Sequence, residues 1–264
     1  MSPETGTDPG LLGLAASGVL VVVAVAISAW QRLGLERSLL WSACRALVQL
    51  LVIGAALALV VEPDRPLALS WIWVAVMVVF ASWTLGRRAP EVPGAVTLGL
   101  IGFGLSCAVT LSVLFGFGIF EPSGRTIVPL AGMVVGNSLA ATVLVGRRIV
   151  AEASERRAEI EARMSLGLTG RDALRPYVRD AVRTALIPQI ETTKAVGIVF
   201  LPGAMVGLIL AGASPVAAVK VQVAVMYLIL GSVSVTTAVV ALGLSRRLMT
   251  PDHRLIRVLR APAG

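Results

Sequence analysis

The sequence is poor in charge, aromatic residues, cysteine and histidine. Charged residues make up 14% and aromatics 5% of the 264 residues, where a soluble domain carries about 25% charged. A chain that is 56% hydrophobic cannot cover itself with polar surface. The only cysteines, Cys44 and Cys107, lie in apolar runs. That excludes a disulfide framework, and with one histidine, His253, there is no zinc spacing. Both cysteines read as small packed hydrophobes. The +8 net charge would suit a nucleic acid, but no aromatic residues interleave the cations and no nucleic-acid motif is present. The phosphate-cradling pattern G-x-x-x-x-G-K-[ST] is missing too, because the two lysines follow Thr193 and Val219. The chain is therefore expected not to be an enzyme and not to hydrolyse ATP itself. The alternating ten-residue strands of an outer-membrane barrel are also absent.

What is present is a series of long apolar runs. A helix crosses a bilayer with roughly 20 apolar residues, and seven such helices are expected. They run from Leu11 to Gln31, from about Ser38 to Val61, from Leu67 to Gly86, and from about Gly94 to Phe120. The fifth runs from about Ile127 past Gly146, the sixth from about Pro188 to Ala211, and the seventh continues to Ser245. Met1 to Gly10 lacks the positive region of a secretory signal. Loops on one side collect Arg32, Arg37, Arg87, Arg88, the arginines from Arg147 to Arg183, and Arg246, Arg247, Arg254, Arg257 and Arg260. The opposite side holds Arg65 and Arg125. Cytoplasmic loops collect Lys and Arg, so the N-terminus is expected outside and the C-terminus in the cytoplasm. The expectation is an all-α, multi-pass protein of a bacterial plasma membrane, a single domain over residues 1–264.

One charged stretch interrupts this pattern, spanning about 147–187. Helix five is expected to continue through Arg148 to Met164, since little there disfavours helix. Gly167 then supplies a stop and Thr169-Gly170 a new N-cap. Beyond it Leu174, Tyr177, Val178, Ala181, Val182, Ala185 and Leu186 recur at helical period as one apolar face, with Arg175, Arg179, Asp180 and Arg183 off it. Such a helix lies along the membrane surface, held on anionic lipid, or packs under the bundle. A second reading is mechanical. Glu161-Ala162 followed by Gly167, with Ile187-Pro188 at the next span, resembles the loop by which ABC-transporter permeases engage their ATPases, with Arg163 in place of the usual second alanine. Glu161, Ala162, Gly167, Leu168 and Arg171 are the candidate coupling residues.

Further motifs carry a fuller resemblance. They are Gly132 to Ser138, Leu166-Gly167, Ala185 to Pro188, Lys194 to Gly197, Leu201 to Gly207, Ala211 to Pro215 and Lys220 to Gln222, with Arg45-x-x-x-Gln49-Leu50 earlier. In this order and spacing they resemble the FetB-type iron-export ABC permeases and their plant relatives linked to aluminium tolerance, over about half the chain. The family usually carries a hydroxyl residue where Val206 stands. The resemblance implies a permease that pairs with a separate cytoplasmic ATPase to move metal, iron first, out of the cytoplasm. It implies two permeases with two ATPases, with ATP and Mg on the partner and no cofactor on this chain.

Candidate residues for the path and the packing follow from the spans. The stripes Gly132-x-x-x-Gly136 and Gly203-x-x-x-Gly207 let helices approach closely in lipid, within the core or at a dimer contact. Pro202-Gly203 is expected to interrupt helix six, and interrupted helices often line substrate sites. Met133 and Met205 offer thioethers, which are soft ligands or simple core filler. Asn137 and Ser138 are polar in mid-span, as is Gln49 one turn beyond Arg45. Arg45 is read as snorkelling or functional. Glu191 and Lys194, at i and i+3, pair with each other or meet a cation. No carboxylate cluster in the spans would chelate a hard metal. The alternative from another class is a non-transporting scaffold or sensor that recruits a cytoplasmic partner through 147–187.

Overall fold

The computed structural model describes residues 10–60, 66–250 and 254–256. Among them the chain is helical throughout: α1 Gly10–Trp30, α2 Glu36–Val60, α3 Leu67–Arg88, α4 Ala95–Gly116, α5 Gly124–Glu155, α6 Arg157–Ser165, α7 Gly170–Ala195, α8 Gly203–Leu210 and α9 Pro215–Arg247. By length and apolar composition, five spans can cross a membrane: Glu36–Ala55 of α2, then α3, α4, α5 and α9. The expected turn at Glu62–Arg65, and His253, Arg257 and Arg260, lie outside the described residues.

The core is built by α3, α4, α5 and α9, with α7 packed against α5 and α9. Lipid is as apolar as leucine, so burial of oily surface does not hold these helices together. Close packing and hydrogen bonds do. Phe103, Leu111, Ile127, Val134, Val145, Val233, Val240 and Leu244 fill the interior. Close approach falls on glycines not counted in the stripes above: a Cβ on Gly243 of α9 would run into Leu98 Cδ2, and one on Gly86 of α3 would lie 2.7 Å from Val96 Cγ2. A Cβ on Gly99 would lie 3.1 Å from Ser82 Cα on α3, and one on Gly102 would lie 3.2 Å from Val240 Cγ2 on α9. The expected stripes are used differently. Gly132 meets Met77 Cε at 3.1 Å, while a Cβ on Gly136, Gly203 or Gly207 would meet nothing within 4 Å in the single chain.

Three of the four helices carry the same buried Ser-x-x-x-Thr pattern. Ser106 and Thr110 on α4, Ser138 and Thr142 on α5, and Ser232 and Thr236 on α9 are all buried. Each threonine hydroxyl donates to the serine carbonyl one turn back, at 2.6, 2.7 and 2.8 Å. The serines meet at one point. Ser106 Oγ donates to the Ser232 carbonyl at 3.0 Å, and Ser138 Oγ lies 3.4 Å from Ser232 Oγ. Every hydroxyl in this knot thus finds an oxygen, as a water-free interior demands.

Helices α1 and α2 form a hairpin on their own. Its turn is set by Ser28 Oγ, which donates to Glu36 Oε1 at 2.8 Å and accepts from Leu35 N–H at 3.2 Å. None of the most apolar window of α2 is buried within the chain.

Two expectations are corrected. Helix five does not run unbroken to Met164: it ends at Glu155, and α6 begins afresh after Arg156. Helix six does not begin at Pro188. Instead α7 continues through Pro188 to Ala195. The face Leu174, Tyr177, Ala181 and Ala185, buried against α5 and α9, holds the helix on its line, and the Glu191–Lys194 ion pair (2.9 Å) staples the turn beyond the proline. The chain then unwinds over 196–202. Gly197 takes φ +86°, its N–H donates to the Phe200 carbonyl at 2.9 Å, and extended Pro202 starts α8. The expected interruption at Pro202-Gly203 is thus the far edge of a longer break.

Candidate functional site

The charged stretch folds as a hairpin, α6 and α7, at the end of the bundle where α5 and α9 emerge. On its α5–α6 arm every arginine from Arg147 on but Arg163 is matched to a glutamate. Glu152 receives Arg148 at 2.9 Å and Arg156 at 3.0 Å, Glu159 receives Arg156 at 3.4 Å, and Glu161 receives Arg157 at 2.7 Å. The Arg156 guanidinium lies over the Tyr177 ring, 5.8 Å from its centre, and its pKa is raised by Glu152 and Glu159. The Tyr177 hydroxyl, buried without a closed hydrogen bond, still holds the nearby Glu159 carboxyl below its ordinary range, with Arg156 and Arg163 adding to the effect. Burial, and then Glu159, push the Tyr177 phenol up.

Two links tie this end of the bundle together. Arg147 Nε donates to Glu91 Oε1 at 2.7 Å, joining α5 to the α3–α4 loop. Arg247 Nη1 donates to the Gly94 carbonyl at 3.1 Å. After α9 the chain doubles back. Met249 and Leu255 form an antiparallel bridge, Leu255 is buried, and its carbonyl accepts from Arg157 Nη2 at 2.8 Å.

The tip of the hairpin is unlike its sides. Gly167, at φ +93°, turns the chain in the left-handed region that suits a residue without Cβ. Thr169 caps α7, its hydroxyl accepting from Asp172 N–H at 3.2 Å. Leu166 is 85% exposed and Leu168 42%. Beside them a pocket of about 600 Å³ opens between hairpin and tail, lined among others by Arg157, Glu161, Gly167, Leu168 and Leu255. The expected coupling residues therefore gather here: Glu161 paired with Arg157, Ala162 exposed, Gly167 and Leu168 at the turn, and Arg171 exposed just after the cap.

The expected path residues do not gather. Asn137 is exposed and spends its Nδ2 on the Met133 carbonyl at 2.8 Å, while its neighbour Ser138 points inward to the serine knot. Met133 packs against the core. Pro202 caps α8, which carries a partly buried Met205. Arg45 and Gln49 are exposed on α2. Glu191 and Lys194 share a groove along α7. Among the described residues no three of His, Cys, Asp and Glu converge to hold a metal ion. Of the serine knot only Ser138 was among the expected residues, although Ser-x-x-x-Thr recurs in three spans. The tail had no such signal.

The model of an uncharacterised protein family, UPF0014, matches residues 11–249. The chain belongs to the UPF0014 family. Among its relatives is the "Probable iron export permease protein FetB" of Escherichia coli K12, 34% identical over 247 residues, 92% of this chain and 93% of that protein. The rice UPF0014 membrane protein STAR2 is 36% identical over 86% of this chain and 80% of its own length. The Arabidopsis thaliana protein ALUMINUM SENSITIVE 3 is 32% identical over 86% of this chain and 83% of its length. No solved structure matches. As a UPF0014 member the chain is a multi-pass membrane protein of a permease family.

Proposed function

We propose that this chain is the membrane subunit of an ABC-type exporter of metal ions, iron foremost, driven by a separate cytoplasmic ATPase. The observation that carries this reading is the hairpin tip. Leu166 and Leu168 are exposed apolar side chains at the end of a strongly charged projection. Large apolar groups held out on a rigid turn suit a docking partner. The likeness to a protein named as an iron export permease, over nearly the whole chain, supplies cargo and direction.

In this reading the hairpin lies in the cytoplasm of a bacterial plasma membrane, and two copies of the chain assemble with two ATPases. The seven spans of the sequence reading become six continuous or hairpin spans plus one broken span, made of the upper part of α7 and α8. ATP-driven closure of the partner pushes the α6–α7 tip. Because α7 packs on α5 and α9, the push tilts these helices and exchanges access across the bilayer. Iron passes as weakly bound or complexed cargo. The alternative, a scaffold or sensor without transport, shares the docking step and lacks the flux.

The test uses Leu166→Asp, which leaves the core untouched. The ATPase is expected to co-purify with the wild-type chain and not with the variant, and ATP-dependent iron efflux into inside-out vesicles is expected to fall with it. Equal co-purification of the two would refute docking at the tip. Docking without any flux would favour the scaffold.

A further inference from the structure

Ion pairing divides the hairpin into two unlike arms. On α5 and α6, Arg147, Arg148, Arg156 and Arg157 each sit on a glutamate, and Arg163 of α6 does not. On α7, Arg171, Arg175, Arg179 and Arg183 recur every four residues, all exposed, and none makes an ion pair with another described residue. The two carboxylates nearby do not relieve them. Asp172 is engaged by Thr169 Oγ1 at 2.6 Å, and Asp180 closes no ion pair. Like charges one helical turn apart oppose the helix that carries them. The stripe therefore calls for an anion from outside the chain.

Its surroundings say which kind. Arg175, Arg179 and Arg183, with Asp180 among them, form one end of a groove of about 1130 Å³ along the outward face of α7, Leu186, Ile187 and Ile190 continue it, and the Glu191–Lys194 pair closes the other end. Ile187 is 47% and Ile190 40% exposed. A soluble phosphate would leave the apolar stretch unused. A ligand with an anionic head and a hydrocarbon tail matches the arginines and the apolar stretch together, and guanidinium groups grip phosphate oxygens in pairs. α7 starts with Gly170 against Met249, two residues past Arg247, and passes Tyr177 under Arg156, eight residues past Arg148, so its arginines lie at the end of the bundle where the apolar lengths of α9 and α5 stop.

We infer that the α7 groove is a binding site for one anionic phospholipid, its phosphate on Arg179 and Arg183 and an acyl chain along Leu186, Ile187 and Ile190. A lipid seated there anchors α7 to the leaflet and leaves the Leu166 tip free. The inference needs only that the chain sits in a bilayer and stands apart from the ATPase reading.

The test is native mass spectrometry of the full chain, purified in neutral detergent and titrated with phosphatidylglycerol, phosphatidylcholine or inorganic phosphate. Juxtamembrane cations each strengthen attraction to anionic lipid several-fold, so three give a preference for phosphatidylglycerol over phosphatidylcholine on the order of 100-fold. R175Q/R179Q/R183Q is expected to abolish it, while R37Q/R88Q/R246Q, which removes the same charge elsewhere, keeps it. Equal binding of the two lipids by the wild-type chain overturns the site without any variant. So does equal loss in both triple variants, which means general attraction, or displacement of phosphatidylglycerol by equimolar inorganic phosphate, which means a phosphate site without a lipid.

Discussion

Arg157 Nη2 donates to the carbonyl of Leu255 at 2.8 Å, while the same guanidinium holds Glu161 Oε1 at 2.7 Å. One side chain near the start of α6 therefore fastens the returning tail to the hairpin and helps shape the pocket beside its tip. Arg157→Ala is expected to release the tail. The Thr250 and Ile256 amides, which donate to Arg254 and Leu248 carbonyls at 2.9 Å, should lose hydrogen-exchange protection while amides within α9 keep theirs. The side chain is about a third exposed, so the cost to global stability is expected to be about 1 kcal/mol or less.

Gly167 sits at φ +93°, where a Cβ costs about 1–2 kcal/mol. A Cβ there meets no neighbouring atom within 4 Å, so the penalty is in the backbone alone. Gly167→Ala is expected to shift the turn and re-aim Leu166 and Leu168, weakening ATPase co-purification while helix content by circular dichroism holds. Gly167→Asn should do less harm, since asparagine tolerates the left-handed region.

The serine knot makes a graded prediction. Ser232→Ala removes a shared hydroxyl in a setting where such bonds are worth about 0.6 kcal/mol, reaching about 1.7, so the melting temperature in detergent should fall slightly. Ser232→Leu forces volume into a fully buried position and should cost about 1–3 kcal/mol.

The two classes of glycine should separate under one substitution. Gly99→Leu pushes α4 off the backbone of α3 and is expected to lower stability by about 1–3 kcal/mol. Gly136→Leu points into space that is open in the single chain. It should leave monomer stability unchanged and, if α5 faces a second copy, reduce cross-linking between copies.

Acid should reach the hairpin through Glu159. Its folded pKa is depressed, first by the Tyr177 hydroxyl and then by Arg156. A depressed carboxyl adds stability that is full above its unfolded value, about 4.3, and is lost as pH falls through the lower folded value. The gap in melting temperature between wild type and Glu159→Gln is therefore expected to be constant well above the unfolded value and to close as pH falls below it. A gap that widened on acidification would contradict the assignment.

Much of the molecule was legible in the residue order, because the signals involved are local. Apolar run length marked membrane helices. Gly167 and Thr169-Gly170 marked a stop and a start that the structure keeps, and the period of Leu174, Tyr177, Ala181 and Ala185 marked the buried face of α7. The pairing of Glu191 with Lys194 was likewise readable at i and i+3. Each depends on atoms within a turn or two of chain.

What tertiary structure alone decided is which faces meet. Pro188 reads as a boundary locally, yet packing on α5 and α9 carries α7 through it and moves the break to 196–202. Close approach fell to Gly86, Gly99, Gly102 and Gly243 and left Gly136, Gly203 and Gly207 open, because spacing shows that a face is smooth and not what lies opposite. Ser106, Ser138 and Ser232 come from three helices, and Arg157 finds Leu255 from far along the chain. Contacts of that kind have no local signature. They exist only once the helices have chosen their neighbours.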